Sequence, residues 1–202
     1  MLLELTDRIA PSQNFTLTPA EVELLIDSGV TSAGNLAAFR FFTNDFDTTT
    51  SGVDIVATYG MDNTDFSIAY NNTTTEVDSF TPGIVEATRI QELENGLPQT
   101  RWNASVTHNM DAWRFMVRAT YYDEFFDSED GATYGDEYMI DAEAAYSFDE
   151  KYTVTVGAQN LFDEYPDENP GAAGGVGNAY SQFAPGGFGG AFYYLRVGYN
   201  FD

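Results

Sequence analysis

The stretch AWRFMVRATYY, residues 112–122, alternates between apolar and polar side chains. Its apolar face has aromatic residues towards both ends and smaller residues between them, whereas its polar face carries two arginines. A period of two is typical of a β-strand whose faces meet different surroundings. The apolar face comprises Trp113, Phe115, Val117, Ala119 and Tyr121, and the polar face comprises Arg114, Met116, Arg118 and Thr120.

The same alternation recurs along most of the chain. It is clear in EYMIDAEAAYSF (137–148), KYTVTVGAQNLF (151–162) and FYYLRVGYNF (192–201). A soluble β-sandwich also alternates, but aromatic residues at both ends of an apolar face indicate strands that cross a bilayer between its two interfaces. Charged residues within the strands predict a water-filled or plugged lumen on the other face: Arg114, Arg118, Asp141, Glu143 and Arg196.

The connections between these strands alternate in length. Short turns at 61–64, 109–112 and 148–151 separate long loops at roughly 76–98, 126–136 and 164–190. Short turns on one side and long loops on the other are typical of outer-membrane barrels. We therefore predict an all-β fold, an antiparallel transmembrane β-barrel portion of about eight strands. The first strand is LLELTDRI (2–9) and the second is a long one through residues 39–60.

The first long loop contains a helix signal in LTPAEVELLIDSG, residues 17–29. Thr18 suits the N-cap, Pro19 the first helical position, Glu21 the capping box and Gly29 the C-terminal cap. The apolar residues Val22, Leu25 and Ile26 would share one side. We predict one short, packed loop helix that stabilises the loops as a lid, with direct contact to a ligand as the alternative.

The composition excludes several classes of protein. With 32 acidic against 8 basic residues and a net charge of −24, the chain has no basic patch for a nucleic-acid backbone. It has no cysteine, so disulfides, thiolate metal sites and cysteine nucleophiles are excluded. The start lacks the basic, apolar pattern of a signal peptide. The sequence also lacks the run of roughly 18 apolar residues that a transmembrane helix needs.

Four segments resemble one known family in their order along the chain. The run VGAQNLFDEYP (156–166) is similar to the penultimate-strand signature of TonB-dependent outer-membrane receptors. The segment FFTNDFDTTTSGVDIVATY (41–59) resembles their long strand with a Thr-x-Gly-Val-Asp element. The segment LPQTRWNASVTH (97–108) resembles a downward strand, and GGAFYYLRVGYNF (189–201) resembles the final strand. The resemblance covers nearly the whole chain.

The resemblance implies a location and a function. Residues 1–202 would be the C-terminal portion of the receptor barrel in the outer membrane of a Gram-negative bacterium, without the plug domain and N-terminal strands, and Met1 would be an internal residue. The receptor would bind a scarce nutrient, an iron-siderophore, a cobalamin or a carbohydrate, and import it with TonB-coupled energy. Implied partners are outer-membrane lipid and lipopolysaccharide, the TonB-ExbB-ExbD complex through the plug, and the barrel-assembly machinery through the last strand.

The chain departs from the family pattern in two respects. The family barrel has about 22 strands around a plug, whereas this chain supplies about eight. The family usually ends on an aromatic residue, whereas here Asp202 follows Phe201, which would affect recognition by the assembly machinery. The resemblance transfers no ligand-contact residue, so the substrate-binding residues stay unknown.

Candidate sites each have a simpler interpretation. The acidic loop 123–137 contains seven acids but lacks EF-hand spacing, so we expect a solvated surface loop rather than a calcium site: Asp123, Glu124, Asp127, Glu129, Asp130, Asp136 and Glu137. The glycine-rich stretch 169–190 has no phosphate-binding motif. The only histidine, His108, falls on the apolar face near a short turn, and Asp141 and Glu143 lie about 7 Å apart on the lumenal face. We predict no enzyme, no catalytic residue, no cofactor and no metal site.

Two alternatives to the receptor portion stay open. One is an autonomous eight-stranded outer-membrane barrel with a structural or adhesive role, since about eight strands can close around a filled interior. It requires the strands of Leu5 and Val197 to pair. The other is a soluble, acidic, sugar-binding sandwich, which leaves the aromatic girdles unexplained. For the receptor, we hypothesise that Arg114, Arg118 and Arg196 would have to line the route of an anionic ligand.

Overall fold

A computed structural model describes residues 1–10, 13–35, 38–42, 44–148, 151–171 and 179–201. Twelve strands, two α-helices and one 3-10 helix (Ala33–Asn35) occur in these ranges. The helices are α1 (Pro19–Asp27) and α2 (Ala87–Asn95). The strands are β1 (Leu2–Ile9), β2 (Gln13–Thr16), β3 (Ala38–Phe41), β4 (Asn44–Met61), β5 (Thr64–Ser79), β6 (Thr100–Met110), β7 (Trp113–Tyr122), β8 (Phe125–Asp127), β9 (Ala132–Tyr134), β10 (Glu137–Phe148), β11 (Tyr152–Gln159) and β12 (Phe192–Tyr199).

Eight of the strands form one antiparallel sheet in the order β1-β4-β5-β6-β7-β10-β11-β12. Neighbours along the chain are neighbours in the sheet, apart from the two hairpins β2-β3 and β8-β9, which lie in the connections. This arrangement confirms the predicted all-β barrel portion. The sheet is not closed, because among the described residues β1 pairs only with β4 and β12 only with β11. The pairing that the autonomous barrel requires is therefore absent from the described strands.

The register brings aromatic residues of successive strands into rows on the apolar face. Trp102, Tyr121 and Tyr138 are register partners across β6, β7 and β10. Their rings contact at centroid distances of 5.7 Å and 4.7 Å. At the other end of the strands, Trp113 pairs with Tyr146 at 4.7 Å. Two aromatic girdles therefore border the apolar face, as the sequence predicts for a lipid-facing surface.

Strand β4 and the two-residue turns largely follow the predictions. The turn residues between β4 and β5 and between β6 and β7 include Asp62 and Asp111, which both adopt positive φ, a conformation that aspartate tolerates better than most residues. The third short turn includes residues 149–150, which lie outside the described residues. The predicted second strand, 39–60, is divided: Ala38–Phe41 pairs with β2, and β4 begins only at Asn44.

Helix α1 confirms the capping signal but only part of the predicted packing. Thr18 is the N-cap, and its Oγ1 accepts a hydrogen bond from the Glu21 backbone N–H while the Glu21 carboxylate accepts one from the Thr18 N–H at 2.8 Å. Ser28 is the C-cap, and Gly29 follows at φ +101°. No residue of α1 is buried. The predicted packing is therefore only partial, because Val22 and Leu25 are half-buried and Ile26 is exposed. Among the described elements, α1 contacts only the 3-10 helix Ala33–Asn35.

Helix α2 was not predicted. It lies in the loop assigned to 76–98, and β5 extends to Ser79. Ile90 and Leu93, one turn apart, pack with Val77 against a small core formed by Ala10, Phe46 and Val85. This core fixes α2 over the polar face of the β4-β5 hairpin, at the loop end of the sheet. None of the described helices is long and apolar enough to cross a membrane.

Candidate ligand vestibule

The polar face of the sheet carries a network of ion pairs around Glu143. The Glu143 carboxylate accepts hydrogen bonds from Arg114, from Arg196 at 2.8 Å and from the Tyr194 hydroxyl at 2.8 Å. Its side chain is only 8% exposed, whereas the arginine side chains are 46% and 61% exposed. Gly157 makes room for this arrangement, because a Cβ there would overlap the Tyr194 ring. The lumenal wall therefore holds its charges in pairs.

A second pair extends this network towards the loops. Arg118 donates to one Asp141 oxygen from Nε at 2.9 Å and from Nη2 at 2.5 Å. The other Asp141 oxygen accepts from the Asn160 backbone N–H at 2.9 Å. The three arginines proposed to line an anionic route thus all form ion pairs, but Arg114 and Arg196 share the single charge of Glu143. Asp141 and Glu143 serve as their acceptors, in agreement with the expected hydrated wall rather than an acid/base pair.

The Asn-Leu-Phe-Asp run at the end of β11 forms a tight exit into the long loop. Asn160 and Asp163 both have positive φ, 48° and 60°, which asparagine and aspartate tolerate because their short side chains bond locally. The Asn160 amide donates to the Glu164 carbonyl at 2.7 Å and its oxygen accepts from the Glu164 N–H at 3.0 Å. The Asp163 carboxylate accepts from the Ala191 N–H at 2.7 Å. The motif therefore closes both ends of loop 164–190.

The acidic loop 123–137 binds to loop 164–190 through its carboxylates. Asp127, 3% exposed, accepts a hydrogen bond from the buried Ser181 hydroxyl at 2.6 Å. Asp130 accepts from the Tyr134 hydroxyl at 2.6 Å and from the Asn169 amide at 2.8 Å. These acids are structural acceptors, so the expectation of a merely solvated loop is wrong for them. Across the described chain, no three or more acidic or histidine side chains are grouped so that they could hold a metal ion.

Tyr134 anchors the hairpin β8-β9 beneath these contacts. It is 2% exposed and stacks on Phe125 with ring centroids 5.3 Å apart. Burial raises the pKa of the Tyr134 phenol, and the hydrogen bond to the Asp130 carboxylate raises it further. The phenol therefore stays protonated and keeps donating to Asp130 over the whole physiological pH range.

Two cavities open between the lumenal wall and the loops. One, of about 690 Å³, lies beside Arg118 and Asp141 and is also lined by Gly186, Gly187, Gly189 and Gly190. The other, of about 720 Å³, lies at the mouth between β1, the start of β6 and the segment around α2. Its basic lining residues are Arg8, Arg89 and Arg101. We did not single out these arginines from the sequence, although they stand near loop ends in a chain with only 8 basic residues.

Of the remaining candidates, His108 lies away from these cavities, whereas part of the glycine-rich stretch lines the first one. His108 pairs in register with Phe115, near the girdle that contains Trp113. Its Nδ1 lies 2.8 Å from the Thr64 hydroxyl. This is the predicted position on the apolar face. Within the glycine-rich stretch, residues 172–178 lie outside the described residues, as does Asp202. The described remainder includes Gly186, whose N–H donates to Glu137 at 3.1 Å.

Comparison with known proteins identifies a family. The family model described as TonB dependent receptor-like, beta-barrel, matches residues 8–161. No curated protein matches the chain.

Solved structures of several receptors share the fold. The apoprotein form of the FrpB iron transporter from Neisseria meningitidis aligns with a TM-score of 0.60 and 13% identity over 98% of this chain and 27% of its own length. The ferripyoverdine receptor of Pseudomonas aeruginosa aligns with a TM-score of 0.51 and 13% identity over 82% and 20%. The ferric yersiniabactin uptake receptor FyuA from Yersinia pestis aligns with a TM-score of 0.50 and 15% identity over 77% and 23%. The chain thus spans about a quarter of the length of these proteins.

Proposed function

The chain belongs to the TonB-dependent receptor-like β-barrel family, and from this membership we propose that it is part of a receptor that binds a scarce nutrient outside the cell and imports it. Proteins of this family are transporters in the outer membrane of Gram-negative bacteria, and the chain is located there. Residues 1–202 correspond in this proposal to the C-terminal portion of the barrel, and strands from elsewhere in the receptor pair with the free edges of β1 and β12.

One observation carries the proposal. The eight-stranded sheet has an apolar face bordered by two aromatic girdles and an opposite face lined by ion pairs and roofed by hydrogen-bonded loops. Such a sheet suits lipid on one side and an aqueous lumen on the other. Unpaired edge groups in lipid cost several kcal/mol each, which favours a larger barrel over an eight-stranded sheet on its own.

An iron chelate is the nutrient that we favour. The solved structures with the same fold include an iron transporter, a ferric yersiniabactin uptake receptor and a ferripyoverdine receptor. Import would draw on the TonB-ExbB-ExbD complex acting on a plug domain. Insertion would use the barrel-assembly machinery, which recognises the last strand.

Uptake of radioactive iron tests this function. Cells of the source strain are grown under iron limitation, and radioactive iron is supplied in their own spent medium, which contains the chelates that they secrete. We expect deletion of the gene and treatment with a protonophore each to abolish accumulation, and the wild-type gene to restore it. Binding in the cold should survive the protonophore, because binding needs no energy. Accumulation that is unaffected by deletion would contradict the proposal.

A further inference from the structure

The ion-pair pattern separates the described arginines into two groups. Four of them pair with a carboxylate: Arg89, Arg114, Arg118 and Arg196. Among the arginines whose side chains the structure describes, Arg8 and Arg101 form no ion pair, and both line the same mouth cavity of about 720 Å³. In a chain of net charge −24, two arginines without an ion pair that line the same cavity suggest a common role.

The two unpaired guanidinium groups are held in different ways. Arg8 donates to the Thr48 hydroxyl at 3.1 Å, and its guanidinium lies 5.5 Å from the centroid of the Phe46 ring. The hydroxyl and the ring leave its charge uncompensated but restrict its position. Arg101 is exposed at the start of β6. Both line the mouth cavity, and neither forms an ion pair with a carboxylate in the described part of the chain.

The acidic residues that line the cavity are already engaged. Glu92 pairs with Arg89 at 2.7 Å, one turn apart on α2. Glu94 accepts a hydrogen bond from the Val77 backbone N–H at 3.0 Å. The charge of Glu92 is thus matched by Arg89, whereas Glu94 keeps its negative charge while it holds the Val77 N–H. The three arginines of the lining exceed its two carboxylates, so the cavity has a net positive charge.

The rim of the same cavity is apolar. Leu97, just after α2, is 80% exposed, and Phe183, in the loop above, is 53% exposed. Tyr122 also lines the cavity. A ligand bound here would meet both guanidinium groups and apolar or aromatic side chains.

We propose that this mouth cavity binds an organic anion that carries carboxylates beside an aromatic or apolar portion. The inference rests on the proposed function, since it names the chemical class of the nutrient that the vestibule accepts. Guanidinium groups donate two parallel hydrogen bonds to a carboxylate, which gives both charge compensation and orientation. The exposed Leu97 and Phe183 would be covered by the apolar portion. The net negative charge of the chain repels anions from most of its surface, so the net positive lining of this cavity would favour them there.

Calorimetric titration with trimesate tests the site. Trimesate is an aromatic ring with three carboxylates, and its neutral triamide has the same shape without the charge. The protein is the complete outer-membrane protein that contains this chain, purified in detergent. The variants are Arg8→Gln and Arg101→Gln, and the matched control is Arg196→Gln, which removes the same charge from the lumenal wall and leaves Glu143 paired with Arg114.

We expect saturable binding of trimesate that weakens with salt, and a dissociation constant about tenfold higher in Arg8→Gln and in Arg101→Gln, since each loses a hydrogen bond between charged groups. Arg196→Gln should stay within about twofold, and the triamide should not bind. Equal weakening in all three variants, equal binding of the triamide, or no saturable binding would each overturn the inference.

The titration measures binding without an energy source. A failure of the proposed site can therefore be distinguished from a failure of the proposed import function. Trimesate binding with the expected arginine dependence would support the site even if deletion of the gene left iron accumulation unchanged. Energy-dependent accumulation together with arginine-independent binding would overturn the site and leave the import function standing.

Discussion

Val117→Arg tests which face of the sheet meets lipid, and Met116→Arg is its matched control. Val117 is 50% exposed on the apolar face of β7, four residues from Trp113 in one girdle and four residues from Tyr121 in the other. Four residues span about 13 Å along a strand. With a strand tilt of about 40°, each girdle lies roughly 10 Å away along the bilayer normal. Val117 is therefore placed near the bilayer midplane.

The position of Val117 sets the size of the expected effect. An arginine on the lipid face costs about 2–4 kcal/mol at the midplane and much less near the interfaces, so we expect Val117→Arg to lower the free energy of unfolding by about 3 kcal/mol. Met116 lies on the opposite face, in register with Glu143. An arginine there would face the aqueous lumen, where its charge stays hydrated, and we expect a change within about 1 kcal/mol.

The assay is urea unfolding of the purified outer-membrane protein from phospholipid vesicles, followed by tryptophan fluorescence. A larger loss in Met116→Arg than in Val117→Arg would mean that the two faces are assigned the wrong way round. Small and equal losses in both variants would mean that β7 does not lie in the bilayer. Either result would refute the reasoning from girdles and register.

Three further predictions concern the loops and the lumenal wall. Ser181→Ala removes the donor to the buried Asp127 carboxylate and should cost about 1–3 kcal/mol locally, seen as faster hydrogen exchange in loop 123–137; unchanged exchange would contradict it. The raised pKa of Tyr134 contributes stability that is present below the ordinary tyrosine pKa of about 10 and is lost as pH rises through the raised folded value. Phenolate absorbance should therefore show a late-titrating group that Tyr134→Phe removes, and an unchanged titration curve would disprove this. Gly157→Ala would push Tyr194 away from its hydrogen bond and should lower unfolding stability by about 1–3 kcal/mol, with an unchanged urea midpoint as the contrary result.

The strands could be predicted because each alternates between two surroundings. In β7 and β10, polar and apolar residues lie on opposite faces of the sheet. The sequence therefore reveals both the period of two and which residues lie on each face. The turns at Asp62 and Asp111 could also be predicted from the sequence, because a two-residue hairpin turn needs residues that accept positive φ. The first strand, Leu2–Ile9, agrees with its predicted bounds.

Helix α2 and the loop contacts were missed for a different reason. Ala87–Asn95 contains good helix formers, and Gly96 and Pro98 follow as stop signals, so a search for helices within loops would have found it. The partners of Asp127 and Asp130 could not be found this way. They lie 54 and 39 residues away along the chain, respectively, and hydrogen bonds between separate loops leave no period in the sequence.

The shared mouth cavity was also hidden in the sequence. Arg8 and Arg101 come from strands β1 and β6, which meet only across the curvature of the sheet. The sequence instead drew attention to Arg114, Arg118 and Arg196, whose alternation is visible. The structure shows that these three form ion pairs with carboxylates. The alternation in the sequence therefore identified the lumenal wall but not the arginines that have no ion pair.

The mass of the native protein in outer membranes of the source cell tests the central claim most directly. An immunoblot with an antibody against loop 123–137 reports this mass without assuming a substrate. If the eight strands are a portion of a larger receptor barrel, the band should be several times larger than 22.3 kDa. A band at 22.3 kDa that shifts on heating would show that the chain closes into a barrel on its own, and would contradict the receptor proposal.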